Sequence, residues 1–269
     1  MRQQAREHLA RAKALIAKGD EGSTRHACLE LRLAIEYLAY QQLQAYLAEV
    51  PDEAMRKWTP RQVIEQMRDV DPNADKSSTL FYGKEETYGV PAKEMSVVGE
   101  DRRFSLKWAN SNHNALGNFL HAPTLHQLET GQVPSTEKML KKATEIADTI
   151  QHILDTPLFN VNLGMFFEFD CDCGNPIKRR DGSFKKGDDI KCPSCGAIHD
   201  VVGEDQATGQ TQFSIRQISY KCEACSSDNW IGVHKLNLGT VLICANCDAK
   251  AEIVYSLAVV NQPAGSGGE

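Results

Sequence analysis

The 269-residue chain contains no run of about 18 uncharged apolar residues, so it offers no candidate membrane-spanning helix. Nor is there an apolar signal core near the N-terminus, where residues 1–18 read as a charged helix. Excess positive charge is missing too. The 30 Lys and Arg stand against 36 Asp and Glu, a formal net charge of -6, which excludes a protein that holds nucleic acid by bulk charge and leaves room only for a local basic patch. Cysteine is nearly absent from the first 170 residues, where Cys28 stands alone in a helical pattern and reads as a small core residue. What is present, 41% hydrophobic and 25% charged residues, suits a soluble, cytoplasmic globular protein with a real core in at least one domain, and excludes wholesale disorder.

Two regions follow different periodicities. Residues 1–156 have the spacing of amphipathic helices, and residues from 158 onward that of short strands and turns, with the break at Thr156-Pro157. Helices are expected over 2–18, over 24–48, from the capping sequence Thr59-Pro60-Arg61-Gln62 to Val70, over 101–121 and over 135–154. Together they predict an α-helical bundle. Residues 71–100 form a long insertion with strand-like pieces at Thr79–Tyr82 and Ser96–Val98, a candidate hairpin. The Gly-rich end, 262–269, reads as a disordered tail.

The other eight cysteines carry the second region. Cys171-x-Cys173 and Cys192-x-x-Cys195 are separated by 18 residues, as are Cys222-x-x-Cys225 and Cys244-x-x-Cys247, and a 52-residue shift lays Cys173, Cys192 and Cys195 onto Cys225, Cys244 and Cys247. Such an internal repeat of paired thiolates suits tetrahedral Zn²⁺ and predicts tandem small-β zinc ribbons, over 158–201 and 213–260, with two structural four-cysteine sites. The first knuckle is one residue short, and His199 is the spare ligand if Cys171 does not reach. Between the first ribbon's knuckles, Lys178, Arg179, Arg180, Lys185 and Lys186 make a locally basic hairpin that suits phosphate contact, or a solvated face. In the second ribbon Trp230 and His234 read either as ribbon core or as a surface for a base or a partner.

The helix expected over 101–121 is the most informative one. Its apolar side collects Phe104, Trp108, Ala115, Leu116, Phe119 and Leu120, and its polar side Arg103, Lys107, Asn110, Asn114, Gly117, Asn118 and His121, flanked by His113. Asparagine is a poor helix former, so a face built of it has another use. Amides and imidazoles suit sugar and phosphate groups, and histidine suits proton transfer. On the second helix Arg32 and Glu36 share a polar face at i,i+4 spacing.

The second helix reads Leu29-Glu-Leu-Arg-Leu-Ala-Ile-Glu36-Tyr-Leu and the late helix ends Asn114-Ala-Leu-Gly-Asn-Phe-Leu-His121-Ala-Pro. In these segments residues 1–155 resemble the HEPN superfamily, whose active members are metal-independent ribonucleases of toxins and phage defence. That family's arginine, separated from its histidine by four to six intervening residues, falls here on Asn114, Ala115 or Leu116. The resemblance therefore implies His121 as the acid or base and Arg32, Glu36 or His113 in support, with the arginine's place taken either by Asn114 and Asn118 as phosphate-positioning residues or by Arg103 or Lys107 arriving from a second protomer. The order of domains resembles ring-activated zinc-finger ribonucleases of bacterial phage defence. That architecture implies an RNA substrate, a homo-oligomer built on dimers and a phage-encoded ring-forming activator protein. The competing expectation is a catalytically inactive sensor or adaptor whose ribbons bind nucleic acid or a protein.

Overall fold

A computed structural model describes residues 1–87, 89–90 and 92–256. The expected tail, 262–269, and the last residues of the expected second ribbon lie outside them. The chain divides into two units: Met1–Phe167 with Lys178–Ser183, and Glu168–Ile177 with the chain from Phe184 onward. The helical unit thus runs past residue 156 and takes back a short piece of what reads as the first ribbon.

In the helical unit the helices are α1 (Arg2–Ile16), α2 (Glu21–Gln44), α3 (Pro60–Val70), α4 (Leu106–Leu120), α5 (Leu125–Thr130) and α6 (Thr136–Leu154). Most starts have a chemical cause. Side-chain oxygens of Asp20, Thr59, Ser105, Thr124 and Ser135 each accept an N–H from the first turn of the helix that follows, satisfying donors the helix leaves over. Central to the bundle is α2, which packs on α1, α3, α4 and α6. Its buried face is Ala27, Cys28, Leu31, Ala34, Ile35 and Leu38, against Ala5, Leu9 and Ala12 of α1 and Met139, Ala143 and Ile146 of α6. Among the described residues no helix is long and apolar enough to cross a membrane.

Two expectations change. The helix expected from residue 101 begins only at Leu106, because Ser96–Asp101 pairs as strand β2 with β1 (Ser78–Tyr82) and Ser105 then supplies the cap. Arg103 is therefore not part of the helix. Helix α5 adds to the expected set; its signature is the reciprocal cap between Thr124 and Gln127 and the left-handed Gly131 that ends it.

The second unit is built of short ladders. Strands β3 (Phe166–Asp170) and β4 (Pro176–Arg180), each divided between the units, pair with each other, and β5 (Asp189–Lys191), β6 (Ile198–Glu204) and β7 (Thr211–Ile215) form an antiparallel sheet. Antiparallel pairs follow between β8 (Gln217–Lys221) and β9 (Asp228–Gly232) and between β10 (Val241–Ile243) and β11 (Lys250–Glu252). The expected start of the second ribbon at residue 213 moves to Gln217. Asp205, accepting the N–H groups of Ala207 and Thr208, turns the chain so that β7 adds to the first module's sheet. There Phe213 stacks on Phe169 at 4.1 Å, over a core of Ile177, Ile190 and Val201.

Candidate functional site

The cysteines converge as their spacing predicts. In each set of four, Cys171, Cys173, Cys192 and Cys195, and Cys222, Cys225, Cys244 and Cys247, the sulfurs lie within 4.8 Å of one another. The shorter separations are 3.6 Å (Cys171 to Cys195), 3.8 Å (Cys173 to Cys192) and 3.7 Å for both Cys222 to Cys247 and Cys225 to Cys244. A tetrahedron of thiolates about 2.3 Å from a central ion has edges of about 3.8 Å, so both clusters fit metal coordination by four cysteines, as in tandem zinc ribbons.

Each knuckle is set by the backbone. The N–H of Cys192, Cys222 and Cys244 reaches the carbonyl five residues on, at Ala197, Ser227 and Ala249. The short knuckle closes by the same device one residue tighter, from Cys171 to Asn175. In all four the residue after the second or fourth cysteine of its set, Gly174, Gly196, Ser226 or Asp248, is left-handed. Cys171 therefore completes its cluster, and His199 stands behind it, with Nε2 3.3 Å from the Cys171 sulfur. Surrounding groups favour the thiolate at Cys173, Cys225 and Cys244 and the thiol at Cys195 and Cys247. Hydrogen bonds from Asn175 bring Cys173 down to about 6. Those from Ser227 and the Asn246 backbone bring Cys244 down to about 5. Burial pushes Cys171 up to about 12, so its proton leaves when a cation displaces it.

In the helical unit, α2 and α4 bring three of the expected site residues together. His113 Nε2 lies 2.8 Å from Glu36 Oε1, and Arg32 Nη1 donates to the His113 carbonyl at 2.8 Å. Gly117 lets this happen, since a Cβ there would collide with Arg32 Nη1. Arg32 and His113 line a polar groove of about 420 Å³, with Trp58, Arg61, Glu65, Asn110 and Asn114 among its other walls. With Nε2–H donating to Glu36, Nδ1 is left to accept a proton. The arrangement combines a cation, a carboxylate-held imidazole and two amides at one opening.

Other expected site residues lie elsewhere. His121 is the exposed C-cap of α4, about 12 Å along the axis from His113, and does not line the groove. Lys107 and Asn118 are exposed on α4. Arg103 is internal: its guanidinium pairs with Asp101 at 2.6 Å and donates to the carbonyls of Ala74 and Val161, so it serves the fold of its own chain. The five basic hairpin residues are divided between the units. Arg180 pairs with buried Asp71 at 2.6 Å and lies over the Phe166 ring, and Lys178 donates to the Ala48 carbonyl, whereas Lys185 and Lys186 are exposed in the second unit. Trp230 is 68% exposed rather than ribbon core. Trp58, Arg61 and Glu65 are not singled out by sequence. The aromatic residue just before the Thr59 cap is the one signal there, and it ordinarily marks a hydrophobic staple rather than a site.

The chain matches no protein-family model, no curated protein and no solved structure.

Proposed function

We propose that this protein is a metal-independent endoribonuclease, an effector of antiviral defence in the cytoplasm, with zinc as the structural ion of both cysteine clusters. The observation that carries the chemistry is the α2–α4 groove, where Glu36 holds His113 and Arg32 stands beside it. In the reaction the 2′-oxygen of the RNA attacks the adjacent phosphorus as the bond to the 5′-oxygen breaks. His113 takes the 2′-hydroxyl proton, Arg32 balances charge on the phosphorane, and His121 of a second protomer delivers a proton to the departing 5′-oxygen. The product is a 2′,3′-cyclic phosphate. Closed coordination by four cysteines has no open position for water, which supports a structural metal. Activation on a ring-shaped phage protein and dimer-based oligomerisation rest on the HEPN-like and ring-activated resemblance alone.

The test is RNA 3′-end chemistry in phage-infected cells carrying the wild type, His113→Ala or His121→Ala. Cyclic-phosphate ends in the wild type only are the expected result. Cleavage that survives His113→Ala removes the groove from the mechanism, and intact RNA in all three, with protein expressed, removes the nuclease. The second reading, an inactive sensor or adaptor, is favoured by the absence of arginine at positions 114–116 and by the placement of His121 outside the groove. It expects binding without turnover.

A further inference from the structure

Trp58 lies between the 3₁₀ turn at Asp52–Arg56 and Thr59, the cap of α3. An aromatic residue at this position ordinarily folds onto its helix. Trp58 instead is 65% exposed, while its backbone is held by Tyr40, whose hydroxyl donates to the Trp58 carbonyl at 2.9 Å. A large apolar ring left in water forfeits the gain that burial would bring. The same groove is lined by Asn110 and Asn114, whose amides are 3.2 Å apart, and by Arg32. Arg61 is committed to Glu65 at 2.8 Å. Arg32 gives one N–H to the His113 carbonyl, and a guanidinium has five.

We infer that this groove takes one unpaired nucleotide of single-stranded RNA, with its base stacked on Trp58, its edge or ribose on Asn110 and Asn114, and its phosphate on Arg32. An indole face accepts a base only when that base is free of a duplex partner. The volume, about 420 Å³, is within the range of small-ligand sites. The choice of RNA rests on the ribonuclease reading, but binding is measurable without turnover.

The full-length protein is titrated into a labelled mixed-sequence 2′-O-methyl RNA decamer, which has no free 2′-hydroxyl to attack, and into the same strand annealed to its complement. Wild type and Trp230→Ala, which removes an exposed indole of the other unit, bind the single strand alike and the duplex more weakly. Trp58→Ala, with unchanged circular dichroism, weakens single-strand binding about tenfold or more, and Trp58→Phe restores most of it. The inference is overturned if the wild type does not bind, if it prefers the duplex, if Trp58→Ala binds as the wild type does, or if the loss follows Trp230 instead. A wild type that binds this probe yet leaves RNA uncut in phage-infected cells, where its activator is present, refutes the nuclease and retains the nucleotide site.

Discussion

At the scale of single residues, Gly117 decides whether Arg32 stays in the groove. Replacing it with Ala places a methyl group in collision with Nη1, and the flexible arginine swings away. The same change improves helix propensity by about 1 kcal/mol. Gly117→Ala is therefore expected to keep or raise the melting temperature while lowering RNA binding and cleavage at least tenfold, a separation that a packing defect does not produce. Asp20 makes a different prediction. The Ser23 N–H, followed by the Ser23 side chain, holds its carboxyl below the usual range. A carboxyl lowered in the folded state stabilises above its unfolded value and loses that contribution as pH falls through the folded one. Asp20→Asn keeps a capping oxygen without the charge. Melts of the two proteins should differ most near pH 6, and the wild type should lose its advantage below the ordinary carboxylate range; a difference independent of pH refutes the charge argument.

At the scale of elements, the knuckles show why a repeat in sequence is a repeat in structure. One hydrogen-bonded loop recurs four times, and each ends on a left-handed residue. Glycine occupies two of these positions, Ser226 and Asp248 the others, at a cost of about 1 kcal/mol each for a residue with a Cβ. Ser226→Gly and Asp248→Gly are expected to hold metal at least as tightly as the wild type in competition with a chromogenic chelator, whereas Gly196→Val releases it sooner. Two helix starts are legible for the same local reason, because Thr59 and Ser135 act within one turn of themselves. The start of α4 is hidden because its upstream residues satisfy helix periodicity, while pairing with β1 claims Ser96–Asp101.

At the scale of the whole molecule, the two units are held by different means. The helical unit has a continuous apolar core from Ala5 to Leu154. Among its described residues the second module of the other unit buries little beyond Cys222, Asn229, Ile231 and Cys244, so its fold depends on the metal. Stripping metal with a strong chelator is expected to abolish order in that module, read by near-ultraviolet circular dichroism or amide exchange, while the helical signal at 222 nm persists. Cys192→Ser with Cys195→Ser should disrupt the first module by the same route. Joint loss of the helical signal counts against independent stability of the bundle.

The sequence by itself determined the two sets of four cysteines, the change from helical to strand periodicity and the caps at Thr59 and Ser135, because thiolate spacing and capping act over a few residues. It also marked Arg32, Glu36 and His113 as polar residues on their helices. Only the tertiary structure decided that Arg32 and His113 share one groove with Trp58 while Glu36 holds His113, that Arg103 is consumed by Asp101, and that Arg180 balances buried Asp71. Those outcomes depend on which faces of distant segments meet, and on where a buried carboxylate finds its counter-charge. Periodicity identifies the polar face of a helix, and packing determines what that face meets.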